Sequence, residues 1–288
     1  MTGFLELLVA GLNTGLVVGL AALAVTLVFG VARFANATTG DAMSLGAYAA
    51  FAGANVTGSL IAGSVIGVAA GALVGAASYL LVFRKLVGRS AVTALLASIG
   101  IGLLIRAAIG LAFGHQQKTF QLPLVRPWRI FDIRIHPNDL NLALVAVLAL
   151  AVTFFVLHGT PVGRRMRAVA DDLSLARVSG IAPARVMIAL WLLAGAVTSV
   201  AGIMLGIKAV ITPEMGWEML LPAFAAAILG GIGHPVGAVV AGILLGTVQE
   251  MSTPFVGFTY KIAISFLVLL LALLLRPQGL FGRVEGAR

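Results

Sequence analysis

The chain has 288 residues, of which 60% are hydrophobic and only 10% charged, with a mean hydropathy of +1.10. A soluble domain of this size carries about 25% charged residues, so a sizeable soluble domain is excluded. The net charge of +9 does not indicate nucleic acid, because the basic residues sit in loops beside apolar runs, where the positive-inside bias places them.

Apolar runs long enough to cross a bilayer recur from end to end. The expected fold is an all-α polytopic transmembrane helical bundle of eight or nine segments, some short or broken, forming a single domain over residues 1–288. With no cysteine there is no disulfide, thiolate nucleophile or sulfur-ligated metal. The N-terminus lacks a basic stretch and a small-residue cleavage pattern, so the first span is expected to be retained.

The first span is residues 4 to 32, with Gly11, Gly15 and Gly19 at spacing four. Such a face lets helix backbones approach closely in lipid. Its polar residues Asn13, Thr14 and Thr26 suit helix-to-helix hydrogen bonding, with pore lining as the alternative. Thr38 followed by Asp41 reads as a capping box opening a short, partly polar second segment, about 41 to 57. Asp41 is thus read as a cap rather than a substrate ligand.

The third span, about 59 to 83, carries Gly63, Gly67, Gly71 and Gly75, a row that implies close helix contact along one face. Arg84, Lys85 and Arg89 then mark a cytoplasmic loop. The fourth span, about 92 to 113, holds Arg106, which must snorkel or face the protein interior. The loop His115 to Asp139 bears Lys118, Arg126, Arg129 and Arg134 against Asp132 and Asp139, with Trp128, Pro123, Pro127 and Pro137 suiting an extended interfacial segment. It reads as a solvated loop, or alternatively as a landing surface for an acidic partner.

A fifth span, about 140 to 158, leads to the longest soluble-looking segment. From Pro161 to Arg185, the apolar residues Val162, Met166, Val169, Leu173 and Ala176 recur at steps of four and three. That spacing predicts one short amphipathic helix, with Arg167 and Asp171 a turn apart. Gly180 can supply a left-handed cap, and Pro183 can open the next helix. The segment is either an interfacial helix on the membrane or a docking helix for a soluble partner.

The sixth span is about 186 to 207. Residues 219 to 251 are broken by Gly230, Gly231, Gly233, His234 and Pro235, so two membrane arms are expected. Glu250 ends the second arm, near the outer interface or facing inward. The last span is about 256 to 275, and Arg276, Arg283 and Arg288 place the C-terminus in the cytoplasm. Nine full crossings would put the N-terminus outside.

The four histidines, His115, His136, His158 and His234, are scattered without metal-ligand spacing, so no metal site is expected. The sequence has no Walker-type phosphate cradle and no nucleophile elbow. A pore subunit powered by another chain fits better than a hydrolase or a self-powered pump.

These residues resemble the permease subunit of bacterial branched-chain amino acid ABC transporters, over nearly the whole chain. Asn13, Gly15, Gly19, Thr26 and Gly30 fall on the family pattern, as do Asn36, Gly40, Asp41, Leu45, Gly46, Ala47 and Tyr48. Ala37 and Thr39 depart from the Phe and His often found there. Ala170, Asp171, Asp172, Leu173, Ala176 and the Gly180-Ile181 pair match the family's cytoplasmic loop, the counterpart of the importers' Glu-Ala-Ala motif. The Leu-Pro of the general motif is missing. Gly230-Gly231-Ile232-Gly233, Pro235, Gly237, Ala238, Gly242, Gly246 and Glu250 complete the match.

The resemblance implies a bacterial inner-membrane permease domain whose loop, about 159–185, docks on an ATPase. The implied partners are a second related permease, two ATP-binding cassette subunits, an extracytoplasmic binding protein and membrane lipid. ATP and Mg would be held by the ATPase subunits, with no cofactor in this chain. Asp171, Asp172 and Arg177 are the candidate polar contacts with the ATPase, and Gly180 is the candidate turn. Asn13, Asn36, Thr93, Ser98 and Gln249 are candidates for lining the pathway. The rival readings are a permease for urea or short amides, and a secondary carrier or channel working alone.

Overall fold

The computed structural model describes residues 2–122, 128–130, 133–257, 260–275 and 278–282. Pro123, Arg126, Pro127 and Asp132 of the expected extended segment lie outside the described residues, as do Arg276, Arg283 and Arg288.

The helices run α1 (Thr2–Ala32), α2 (Thr38–Thr57), α3 (Leu60–Leu81), α4 (Ala91–Phe113), α5 (Pro137–Gly159), α6 (Pro161–Asp171), α7 (Leu173–Val178), α8 (Pro183–Lys208), α9 (Met215–Gly230), α10 (Pro235–Val256) and α11 (Lys261–Leu275). A 3-10 turn, Phe83–Leu86, joins α3 to α4. Between α4 and α5 lies a small antiparallel hairpin that the sequence reading does not anticipate, β1 (Trp128–Ile130) against β2 (Ile133–Ile135). Helices dominate because a backbone in hydrocarbon must satisfy its own hydrogen bonds. Among the described residues, six helices are long and apolar enough to cross a membrane, and α9 and α11 are shorter apolar helices. The chain is a multi-pass membrane protein.

Two compact units are present. The first comprises Met1–Thr26, Gln121–Leu148 and Leu221–Arg288, and the second comprises Leu27–Phe120 and Ala149–Leu220.

In the first unit, α1 and α10 meet backbone to backbone. A Cβ added at Gly15 would lie 2.6 Å from the Ile243 carbonyl oxygen, and one at Gly11 would lie 2.9 Å from Thr247 Cα. Gly242 and Gly246 are equally crowded by Gly19 and Gly15. Small residues on both helices permit this approach, and dispersion then holds the seam. Glu250 faces inward here: it accepts a 2.8 Å hydrogen bond from Thr14 Oγ1 and pairs with Lys261 Nζ at 3.1 Å.

The break between α9 and α10 also has a local cause. Gly231 and Gly233 have φ of 100° and 83°, a region that side chains disfavour. His234 then caps α10, its Nδ1 accepting from the Gly237 amide at 3.1 Å, with Pro235 opening the helix. The segment at Leu280 and Phe281 donates to the Leu229 and Gly230 carbonyls, closing the end of α9.

In the second unit, α3 is gripped by two helices. Gly63 and Gly67 meet Ala50, Ala54 and Gly46 of α2, whereas Gly71 and Gly75 meet Gly195, Ser199 and Trp191 of α8. The glycine row therefore serves two contacts in succession. Near one end of these helices Phe34, Tyr79, Phe83 and Trp191 form a buried aromatic cluster, with Phe83 and Trp191 ring centroids 4.5 Å apart.

Two local expectations are corrected. Thr38 and Asp41 form no capping box: Ala37 is the N-cap of α2, without a side-chain hydrogen bond. Thr38 Oγ1 instead donates to the Ser98 carbonyl at 2.8 Å, and Asp41 pairs with Arg106. The predicted single amphipathic helix after Pro161 is two helices, broken at Asp172, because that side chain caps a new helix.

Candidate functional site

The segment from Thr160 to Pro183 is built by successive caps. Thr160 Oγ1 accepts from the Gly163 amide at 3.3 Å, and Pro161 takes the first helical position of α6. Helix α6 buries Gly163, Met166 and Val169. Arg167 Nη1 donates to the Leu157 carbonyl, tying α6 back to α5, so it does not pair with Asp171 among the described residues.

Asp172 has extended backbone, φ −148°, and its Oδ1 accepts from the Ser174 and Leu175 amides at 2.7 and 3.0 Å and from Ser174 Oγ at 2.6 Å. These hydrogen bonds, that from the Ser174 side chain foremost, hold the carboxyl below its ordinary value, with Arg33 adding a favourable charge. Helix α7 then ends in a double hydrogen-bonded turn. The Gly180 amide donates to the Arg177 carbonyl and the Ile181 amide to the Ala176 carbonyl, each at 3.0 Å. This closure requires a left-handed residue, and Gly180 has φ 80°.

Of the residues expected to dock, Ala176 is buried under α7 and fixes it to the body. Asp171, Asp172, Leu173, Arg177 and Gly180 are exposed. Ala170 is tied through its carbonyl, which accepts from Arg33 Nη2 at 3.0 Å. Arg33 itself has φ 56°, the one positive value off glycine among the described residues. Sequence reasoning missed Arg33, because a basic residue after a span signals only sidedness. It also missed Leu175 and Val178, which are 63% and 86% exposed on α7 and form an apolar tip. Their signal was the spacing of three, opposite the buried Ala176.

The five pathway candidates divide between the two units: Asn36, Thr93 and Ser98 belong to the second, Asn13 and Gln249 to the first. Asn36 and Ser98 are buried neighbours at the start of α2: Asn36 Oδ1 accepts from the Thr38 amide and Ser98 Oγ from the Ala37 amide. Thr93 is exposed in the first turn of α4, its amide donating to Ser90 Oγ. In the first unit, Asn13 is buried with Oδ1 unpaired, and Gln249 is buried with Nε2 donating to Ser265 Oγ.

Arg106 has a definite place. Its Nε donates to Asp41 Oδ1 at 2.8 Å, its Nη2 lies 2.8 Å from the same oxygen, and its guanidinium sits 5.0 Å from the Trp217 ring centre. Asp41 is 1% exposed. Gly102 leaves Asp41 Oδ2 the space a side chain would fill. The pairing links α2, α4 and α9.

Comparison with known proteins places this geometry. Residues 7–273 match the family model described as the permease component of branched-chain amino acid transport systems. The high-affinity branched-chain amino acid transport system permease protein LivH of Salmonella typhimurium is 30% identical, with 98% of this chain and 96% of that protein covered. The corresponding protein BraD of Pseudomonas aeruginosa is 28% identical, covering 98% and 97%. PsaBC from Streptococcus pneumoniae, solved in complex with a Fab, shares the fold at a TM-score of 0.51 and 16% identity, over 94% of this chain and 92% of that one. The chain thus belongs to the family of permease components of branched-chain amino acid transport systems.

Proposed function

We propose that the chain forms half of the translocation pathway of an ATP-driven importer for leucine, isoleucine and valine in a bacterial inner membrane. It works with a second related permease, two ATPase subunits that hold ATP and Mg, and an extracytoplasmic binding protein. The end of the molecule bearing α6 and α7 faces the cytoplasm. The observation that carries this reading is the projecting, doubly capped α7, which offers Leu175 and Val178 as apolar knobs beside Arg177. A six-residue helix is not stable alone, so its closed ends and its anchors at Ala176 and Ala170 make it a rigid lever. The absence of any phosphate cradle in the sequence leaves the fuel to the partner. ATPase closure would move α6 and α7 together, and α5 and α8 would transmit the motion.

Deletion of residues 170–180 tests this directly, with ATPase copurification and ATP-dependent leucine uptake as readouts. Both are expected to be lost. Gly180→Val forces a β-branched residue into a left-handed conformation at about 1–3 kcal/mol, and is expected to uncouple ATP hydrolysis from uptake. Normal coupled uptake by the deletion defeats the assignment. Uptake by the isolated chain in liposomes without ATP would favour a stand-alone carrier, and a substrate panel separates amino acids from urea and short amides.

A further inference from the structure

Beside α6 and α7, the second unit holds a cavity of about 810 Å³. Its floor is the aromatic cluster of Phe34, Tyr79, Phe83 and Trp191. Arg33, Arg84, Arg89 and Arg177 surround it, against two carboxylates, Asp171 and Asp172. One of these, Asp172, is already committed to capping α7. Arg84, Arg89 and Arg177 make no side-chain hydrogen bond or ion pair among the described residues. Four guanidiniums against two carboxylates leave the space with a net positive charge that an entering anion would offset.

A second observation points the same way. Trp191 is 2% exposed, lines the cavity, and its Nε1 has no hydrogen-bond partner. A buried indole N–H normally finds an acceptor. The cavity therefore has an apolar floor, whose Trp191 leaves one buried N–H without an acceptor, and a rim that includes the uncommitted guanidiniums of Arg84, Arg89 and Arg177.

We propose that this cavity binds the phosphate-bearing headgroup of an anionic phospholipid. Guanidiniums bind phosphate oxygens in charge-assisted pairs, and basic pockets between membrane helices take anionic lipid headgroups. A lipid rather than a soluble phosphate is indicated by the apolar approach. Val87 lines the cavity and is 60% exposed, and Leu81 and Val92, at the adjoining ends of α3 and α4, are 66% and 63% exposed. Acyl chains can cover that surface while the phosphate reaches the arginines. Asp171, Asp172, Leu173 and Arg177 of the docking segment also line the cavity, whereas the knobs Leu175 and Val178 lie outside it, so an ATPase segment over the cavity is the competing outcome of the test. The inference rests on the proposed orientation only in assigning the lipid to the cytoplasmic leaflet. Bound there, the lipid would brace α7 against the ends of α1, α3 and α8.

The test is native mass spectrometry of the full-length chain, purified in mild detergent with its accompanying subunits. It is titrated with phosphatidylglycerol, phosphatidylcholine or sn-glycerol 3-phosphate. One phosphatidylglycerol per chain is expected, held about tenfold more tightly than phosphatidylcholine, whose choline cation cancels the phosphate charge and is repelled by the arginines. Arg84→Gln with Arg89→Gln is expected to lower phosphatidylglycerol retention about tenfold, whereas the paired Lys substitutions keep most of it. Trp191→Phe, which removes the indole N–H and shrinks the ring, should weaken retention by about threefold.

Equal retention of the two lipids, or retention indifferent to the Gln pair, overturns the proposal. So does displacement of the lipid by glycerol phosphate at equal concentration, which would assign a soluble anion. A cross-link from Arg89→Cys into an ATPase subunit that excludes the lipid assigns the cavity to that partner and overturns the proposal too. If the Gln pair does not fold, the wild-type comparison of the two lipids still decides. Retention is read without ATP or uptake, so its failure leaves coupled transport standing, and failed transport leaves the lipid count intact.

Discussion

The Asp41–Arg106 pair lends itself to a double-mutant cycle. Arg106 directs Nε and Nη2 at a single carboxylate oxygen, each at 2.8 Å, and its side chain is 20% exposed while that of Asp41 is 2% exposed. Removing one partner of a buried pair strands the other charge, at about 3–5 kcal/mol. Asp41→Asn leaves Arg106 its contact with Trp217, worth about 0.5–2 kcal/mol, so the net loss is about 1–4.5 kcal/mol. Arg106→Met strands the more deeply buried carboxylate and is expected to cost about 3–5 kcal/mol. The double substitution should recover about 1–3 kcal/mol relative to the sum. The assay is the apparent Tm of the purified protein at fixed lipid and detergent, where Asp41→Asn is expected to lower Tm by about 5–10 °C. An unchanged Tm, or strictly additive single effects, would refute the structural role of the pair.

Further tests address the glycine seams and the α7 cap. Gly15→Ala would put a Cβ 2.6 Å from the Ile243 carbonyl oxygen and should destabilise by about 1–3 kcal/mol. Gly100→Ala, whose Cβ meets nothing within 4 Å, should be neutral or stabilise by up to about 1 kcal/mol; equal effects at the two sites would remove the close-approach explanation. At Asp172 the folded carboxyl lies below its ordinary value of 3.8, so its stabilising effect is fully present above that value and fades as pH falls through the folded value. A spin label on Val178→Cys, in a chain without natural cysteine, should gain mobility as pH falls below 3.8 and through the folded value. Asp172→Ala should be mobile at every pH. Asp172→Asn, an equally good cap, should stay ordered throughout; acid mobility in the Asn variant would show that another group titrates.

Much of the fold was legible because a bilayer imposes one strong rule. Long apolar runs must be helices, and Pro and Gly punctuate them, so the spans from 4–32 to 256–275 and the break at Gly230–Pro235 could be read without coordinates. The amphipathic segment after the fifth span was legible for the same kind of reason: Pro161, Gly180 and Pro183 are local signals. What was not legible depends on which helices become neighbours. Thr38 and Asp41 obey a local capping pattern, yet packing of α2 against α4 offers each a better partner in Ser98 and Arg106. The row Gly63 to Gly75 announces close approach, but only the packing divides it between α2 and α8.

The pathway candidates show the same limit. Polarity inside or beside a span marks Asn13, Asn36, Ser98 and Gln249 as unusual, but polarity alone does not distinguish a hydrogen bond that stitches helices from one offered to cargo. Local chemistry and hydropathy therefore settled the class, the long spans and the amphipathic character of the segment after Pro161, but not its division into α6 and α7. Tertiary structure alone decided the partners of Asp41 and Glu250, the double grip on α3, and the arginine-lined space at Trp191. Those features join residues far apart in the chain, and no period or propensity carries that information.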